Sequence, residues 1–395
     1  MTRSVILGGA RTPFGKLGGA LASKTAVELG AAALEAALCR SGVDRTDVEH
    51  VILGQVLQGG AGQNPARQVG FKVGLDKTTT SETVNCVCGS GMRAITLADT
   101  LIRLGDHQVV GAGGMESMSN APFLLRKARS GYRAGNGVLE DMMIGDGLTC
   151  AVAGCHMGIH GSNVAAEEGV GREDQDAWAL RSHQRAIAAT DSGRFTEEII
   201  PVTIENKKGD QVIDADEGPR RDTSAEALAK LRPAFDPGGT VTAGNAPGVN
   251  DGGAAMIVAD EEWARERGLP SLGRILGHGT AAWDVPYLAF TPEMAARKAL
   301  DRAGLSVEDI DLVEINEAFA NVALIARGRL GVDVEKVNVN GGAIALGHPL
   351  AASGARVVLT LLYELRRRGG GIGLAAICSG GGQGDALVVQ VDGGR

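Results

Sequence analysis

The chain repeats itself at a fixed distance, and that repeat limits what it can fold into more than any other feature. Ala37-Leu38-Cys39-Arg40-Ser41-Gly42-Val43 lines up with Ala299-Leu300-Asp301-Arg302-Ala303-Gly304-Leu305 at an offset of 262. Asp47-Val48 lines up with Asp309-Ile310, and Val51 with Val313, at the same offset. Ser90-Gly91-Met92-Arg93 lines up with Ser353-Gly354-Ala355-Arg356 at 263. One register held over this span implies two copies of one unit. Thr25-Ala26-Val27-Glu28 is a capping box, and Gly42 stops the Ala-rich helix that follows. In the second copy, Thr291 is the expected N-cap, Pro292 the first helical residue and Gly304 the stop. Apolar runs at Val48–Val56, Val109–Gly114, Ile310–Asn316 and Ile372–Gly381 read as strands. The fold class is therefore α/β, with mainly parallel sheets covered by helices.

The two copies do not close at the same distance. The last strand of the second copy, Gly384–Val391, finds its counterpart in Gly253–Asp260 at an offset of only 131. Roughly 130 residues are thus inserted before the first copy closes. The expected organisation is a first half over 1–118 completed by 250–270, an inserted loop domain over 119–249, and a second half over 271–395. The insertion carries the basic pairs Arg126-Lys127, Lys207-Lys208 and Arg220-Arg221, and a helix near Arg172 to Ala189. An insertion on the rim of a rigid scaffold is a natural place for ligand recognition.

A net charge of −8 argues against non-specific binding to nucleic acid or to anionic membrane, so an anionic ligand needs a local cationic patch. The first apolar run is too short for a secretory segment, and no run reaches the length of a membrane span. Six irregularly spaced cysteines point to free thiols in a reducing cytoplasm.

The reactive side chains cluster in Gly-rich turns. Cys88, in Asn85-Cys86-Val87-Cys88-Gly89-Ser90-Gly91, stands where a strand runs into a helix, a position that lowers a thiol's pKa. A structural free thiol is the other reading, and a Cys-x-Cys metal half-site the third. For the latter, Cys150 and Cys155-His156 are the nearest further ligands, and their spacing fits no common zinc pattern. His348 precedes a helix opened by Pro349 and lies three residues before Ala351, the register mate of Cys88. If the copies pack as a pseudo-symmetric pair, both helix starts reach one crevice and His348 can deprotonate Cys88; otherwise it is a satisfied loop residue. Cys378 ends a strand before Ser379-Gly380-Gly381-Gly382, whose bare N–H groups suit an anion or oxyanion. Asn316, after another strand, can fix a water or an oxyanion, with Glu317 as its buttress.

Taken together, NCVCGSG, GGMESMS, HMG, GNAPGVNDGGAA, NEAFA, NVNGGAIALGHP and CSGGGQG resemble the thiolase family in order and spacing over essentially the whole chain, and within it the acetyl-CoA acetyltransferase branch. The resemblance implies two βαβαβαββ-type halves in α-β-α-β-α layers with an inserted loop domain. It implies Cys88 as the acylated nucleophile, His348 as its base, and Cys378 as the acid/base at the acetyl α-carbon. His348 and Asn316, through a water, would form one oxyanion hole, and the N–H groups of Cys88 and Gly380 the other. Contacts to the CoA thioester carry over to Leu148, His156, Met157, Arg220, Phe235, Ala243, Pro247, Leu288, Ala318 and Phe319. Pro247 stands where many relatives have Ser, and Leu288 where the short-chain branch often has Met.

The implied activity is the reversible condensation of two acetyl-CoA to acetoacetyl-CoA and CoA. No cofactor or metal is implied beyond the thioester substrates, and a homo-oligomer is implied, a tetramer or a dimer. A broad-range 3-oxoacyl-CoA thiolase and a non-catalytic CoA- or lipid-binding protein on the same fold are the alternatives. A dinucleotide-binding oxidoreductase is disfavoured, because Val109–Gly114 lacks the G-x-G-x-x-G spacing.

Overall fold

The computed structural model describes residues 3–207 and 209–393, so Lys208 of one basic pair lies outside the described residues. The first copy comprises β1 (Ser4–Arg11), α1 (Ala26–Ser41), β2 (His50–Gly54), α2 (Pro65–Lys72), β3 (Thr80–Val84), α3 (Ser90–Leu104) and β4 (Val109–Ser117). The insertion contributes α4 (Met157–Glu167) and α5 (Arg172–Asp191), and β5 (Asn250–Asp260) then follows. The second copy runs β6 (Gly273–Ala282), α6 (Thr291–Ala303), β7 (Leu312–Ile315), α7 (Ala320–Leu330), α8 (Leu350–Arg367), β8 (Gly371–Ser379) and β9 (Gln383–Val391).

The strands form one sheet in the order β3-β2-β4-β5-β1-β6-β9-β8-β7. Read outward from the β1–β6 junction, β1-β5-β4-β2 of the first copy matches β6-β9-β8-β7 of the second, the mark of a duplicated unit, and β3 is an added edge strand of the first copy. The expectation of mainly parallel pairing is corrected. β2 is parallel to β3 and β4, and β7 to β8, but the pairs involving β1, β5, β6 and β9 are antiparallel. The reason lies in the ββ ending of each copy: β8 passes to β9 through a tight turn, and a short turn joins only antiparallel neighbours. Both copies also carry a bulge at the same place, between Ile6 and Gly8 against β5 and between Ile275 and Gly277 against β9.

The strands of the two halves pair at two register positions, Val5 with Arg274 and Ile6 with Gly273. Away from that junction they enclose α3 and α8, which pack on strands of both halves. α1 and α2 cover the outer face of the first half, and α6 and α7 that of the second. The layers are thus α-β-α-β-α, as the resemblance implies. Met92, Ile95, Ile102, Val357, Leu361 and Leu365 of the middle helices form one core with Ile52, Val110, Ile275 and Leu387 of the sheets.

Local signals behave as their chemistry dictates, with one exception. Thr25 caps α1 in a full capping box, and Gly42 and Gly304 end α1 and α6 in the left-handed region. Thr291, however, is the first residue inside α6 and not its cap. Its hydroxyl donates to the carbonyls of Leu288 (2.8 Å) and Gln383 (2.6 Å), so it serves as a donor that ties α6 to β9.

The insertion is fastened by buried charge. Fully buried Arg11 donates to Glu198 (2.6 Å) and Asp216 (2.7 and 2.9 Å), both in the insertion, and its guanidinium lies over the rings of Phe14 and Phe195. Removing one partner would strand the other as a buried charge, at a cost of about 3–5 kcal/mol. Among the described residues, no helix is long and apolar enough to cross a membrane.

The sequence repeat Ser-Gly-x-Arg marks where α3 and α8 cross. A Cβ on Gly91 would lie 2.4 Å from the Ala351 carbonyl oxygen, and one on Gly354 would lie 2.5 Å from the Met92 nitrogen. We expect Gly354→Ala to lower stability by about 1–3 kcal/mol, as overpacking does, measured by urea unfolding. Gly328→Ala, in open space on α7, is the control and is expected to be neutral or stabilising. Equal effects of the two substitutions would contradict the crossing as described.

Candidate active site

The two middle helices begin at one cleft. Cys88 lies two residues before α3, and His348 two residues before α8. Both line a cavity of about 250 Å³ together with Gly380 at the end of β8. Its wall is largely apolar. From the expected set, Leu148, His156, Met157 and Phe235 of the insertion line it, as do Pro247, Leu288, Ala318 and Phe319.

The turn before α3 is held under strain. Val87, a β-branched residue, has φ 49°, in a region that costs such a residue about 1–3 kcal/mol. Its N–H donates to Asn85 Oδ1 (3.0 Å) and its carbonyl accepts from Ser90 Oγ (2.6 Å), which in turn receives the Cys86 N–H (2.9 Å). The Gly89 N–H then donates to Ser379 Oγ (2.7 Å), next to Cys378. A side chain at Gly89 would meet that same oxygen at 2.6 Å, so only glycine lets the two cysteine-bearing turns approach.

Burial pushes the Cys88 thiol up to about 12, against the pull of the Gly380 N–H and its own N–H, while the charge of Glu116 raises it further. The expected depression by the helix terminus is therefore corrected. Although Cys88 opens onto the cleft, it packs against Val56, Leu57 and Leu350, and desolvation wins. Burial, and then the charge of Arg356, push His348 down to about 3. Its Nδ1 lies 2.5 Å from Ser353 Oγ, which itself faces the Pro349 carbonyl at 3.4 Å. That network assigns the hydrogen to Nδ1 and leaves Nε2 as a buried acceptor with no protein partner. The resting pair is thus a neutral thiol and a neutral imidazole.

Cys378 and Asn316 are fully buried behind the cleft wall. Burial, then the proximity of Cys88, raise the Cys378 thiol well above its ordinary value. Both polar atoms of the Asn316 side chain lack a protein partner, which costs about 1–3 kcal/mol per group unless water or a ligand oxygen supplies one. Glu317, its neighbour, accepts from Trp178 Nε1 (2.9 Å), Ser182 Oγ (2.8 Å), Asn338 Nδ2 (3.0 Å) and the Ile344 N–H (3.0 Å). It ties α5 of the insertion to the loop that leads to His348.

Two expected contacts lie off the cleft wall. Ala243 sits exposed on a turn closed by Thr242 and Asn245, and its neighbours Ala246, Gly248 and Val249 line the cleft instead. Arg220 is exposed and does not line the cleft; its N–H donates to His183 Nδ1 (3.1 Å), while Arg221 is engaged by Asp191. Cys86 faces Arg93 and Asp385 rather than the cleft. Cys150 and Cys155 are opposed across a short hairpin, and no grouping of His, Cys, Asp and Glu suited to a metal occurs among the described residues.

Sequence reasoning did not single out Val87, Ser353, Glu116 or the hydroxyl role of Ser379. Glu116 was visible only as one letter of a motif, and Ser353 as one letter of the repeat.

The family model described as "Thiolase, N-terminal domain" matches residues 4–262, and "Thiolase, C-terminal domain" matches residues 269–391. An acetyl-CoA acetyltransferase of Chromobacterium violaceum is 53% identical over 386 residues, 98% of each chain. One from Escherichia coli K12 is 50% identical over 391 residues, 99% of each chain. The crystal structure of the Bacillus anthracis acetyl-CoA acetyltransferase matches with a TM-score of 0.96 at 42% identity over 99% of both chains.

The neutral resting pair makes a direct prediction. Alkylation of Cys88 by iodoacetamide, followed on its peptide by mass spectrometry, should keep accelerating with pH beyond about pH 9, because the thiolate is the nucleophile. A plateau below neutrality would show a preformed thiolate–imidazolium pair instead.

Proposed function

The chain belongs to the thiolase family, and from that premise we propose that it catalyses the reversible Claisen condensation of two acetyl-CoA to acetoacetyl-CoA and CoA. The observation that carries the reading is Cys88, which lies with Gly380 in the apolar cleft that also holds the unpartnered Nε2 of His348.

The protonation states dictate the order of events. Cys88 attacks the acetyl carbonyl carbon as His348 Nε2 takes its proton, so charge develops only when substrate is present. The carbonyl oxygen becomes an oxyanion held by the N–H groups of Cys88 and Gly380. The carbon–sulfur bond to CoA breaks, and the departing thiolate takes the proton of Cys378, which buried surroundings keep protonated at rest. Cys378 is thereby left as the thiolate needed to remove an α-proton from the second acetyl-CoA. The enolate oxygen lies with His348, now protonated, and with Asn316 through a water. Its carbon attacks acetyl-Cys88, and the released Cys88 sulfur recovers its proton from His348. Every bond and proton is accounted for by these side chains and the two thioesters, so the reading calls for no cofactor.

Met157, Leu288 and Phe319 pack together at the acyl end of the cleft. An extra methylene in a filled pocket costs about 1–3 kcal/mol, which favours C4 over longer 3-oxoacyl chains. CoA is anionic while the chain carries −8, and Arg220 offers an exposed cation whose guanidinium makes no hydrogen bond or ion pair among the described residues. Phe123, Leu125, Val138 and Leu139 are exposed on one hairpin of the insertion, which supports a homo-oligomer, and we favour a tetramer over a dimer. Six free thiols fit a reducing cytoplasm.

Incubation with acetyl-CoA should acetylate Cys88, and Cys88→Ser should lose nearly all turnover. Cys378→Ala should still be acetylated yet no longer exchange α-protons with solvent. An active Cys88→Ala enzyme would overturn the mechanism. Wild-type cleavage of C8 to C16 substrates faster than C4 would instead favour the broad-range thiolase. Arg220→Ala should raise the KM for CoA substrates and spare kcat, with Arg221→Ala as the control; unchanged constants would make Arg220 a solvated surface residue.

A further inference from the structure

Beneath the cleft lies a fully buried carboxylate that the proposed chemistry leaves unused. Glu116, near the end of β4, accepts three backbone N–H groups: Leu57 (3.0 Å) on one oxygen, Val56 (3.1 Å) and Ala351 (3.1 Å) on the other. Val56 and Leu57 follow β2 in the first copy, whereas Ala351 lies in the first turn of α8 in the second. The same cluster contains Leu350 and Met118, with Cys88 packed on it. Ala351 is also the register mate of Cys88. At that position of the second copy, Glu116 takes the N–H.

We propose that Glu116 is a positioning residue, whose carboxylate clamps the first turn of α8, and with it His348, against the nucleophile side of the cleft. An anion at a helix start is favoured by the helix dipole and by the otherwise unpaired N–H groups. Hydrogen bonds to a charged acceptor are also roughly twice as strong as neutral ones. Burial raises this carboxyl to about 7, with the three N–H groups opposing and Asp251 adding to the rise, so the clamp is held at the expense of desolvation. Its charge also bears on Cys88, which faces Glu116 from β4, Cys378 from β8 and His348 across the cleft. A negative charge there disfavours the thiolate, so Glu116 sets the base in place and adds to the desolvation that keeps the nucleophile protonated. This inference rests on the roles proposed for Cys88 and His348.

The test compares Glu116→Gln with Glu116→Asp in the full-length enzyme. Glu116→Gln removes the charge and turns an NH2 group toward an N–H donor. We expect kcat to fall about tenfold or more with KM nearly unchanged, and the pH midpoint of Cys88 alkylation by iodoacetamide to move lower. Glu116→Asp keeps the charge but withdraws the carboxylate by one methylene. It should lose kcat without the downward shift, and it carries the test if the Gln variant does not fold. An unmoved midpoint in Glu116→Gln, or a wild-type kcat in either variant, overturns the proposal. Alkylation is read on free enzyme, so its result stands apart from any failure of acetyl transfer to Cys88.

Discussion

The site depends on two helices approaching more closely than side chains allow. α3 and α8 cross where Gly91 meets the backbone at Ala351 and Gly354 meets that at Met92. Because the crossing lies near the start of each helix, the residues just ahead of both helices are forced into one small volume. Cys88 and His348 share a cleft for that reason, although 260 residues separate them. The second contact of the same kind, Gly89 on Ser379, draws in the turn that carries Cys378 and Gly380. The proposed nucleophile, its proposed base and a second thiol thus come together through the packing of one unit against its own copy.

That packing makes the site dry, and dryness decides its electrostatics. In water a cysteine at a helix start would ionise readily, but around Cys88 the apolar neighbours outweigh two N–H donors. The same desolvation holds His348 neutral and Cys378 protonated. In the proposed mechanism, charge is then created in pairs, as substrate arrives, and stabilised at fixed points. Fixed dipoles in a dry cleft do this without reorganising, which is where most of the rate gain of such sites originates. The orphaned polar atoms of Asn316 and His348 cost stability in the free protein for the same reason.

The insertion has to be rigid where it meets the cleft, since it supplies His156, Met157 and Phe235. Two buried acid clusters achieve this. Arg11 locks Glu198 and Asp216 to the first copy, and Glu317 locks Trp178 and Ser182 to the second. His156 then stacks on Phe235 with ring centroids 3.9 Å apart, and Phe235 meets Phe319 edge-on. This wall of the cleft is therefore built from the insertion and the second copy together.

The sequence by itself determined the duplication, the helix stops at Gly42 and Gly304, the capping box at Thr25 and the residue types of the chemistry. These are local or register-based signals, set by backbone conformation and by which side chains can react. It also carried enough motif spacing to imply the layered fold. Only the tertiary structure decided the antiparallel pairing of β1, β5, β6 and β9, the placement of Ala243 outside the cleft, and the three N–H groups gathered by Glu116. It reversed the protonation expected of Cys88 as well. Pairing direction depends on how distant strands meet, and a pKa depends on every group that replaces water around it. Neither is encoded within a window of neighbouring residues, so both had to wait for the fold.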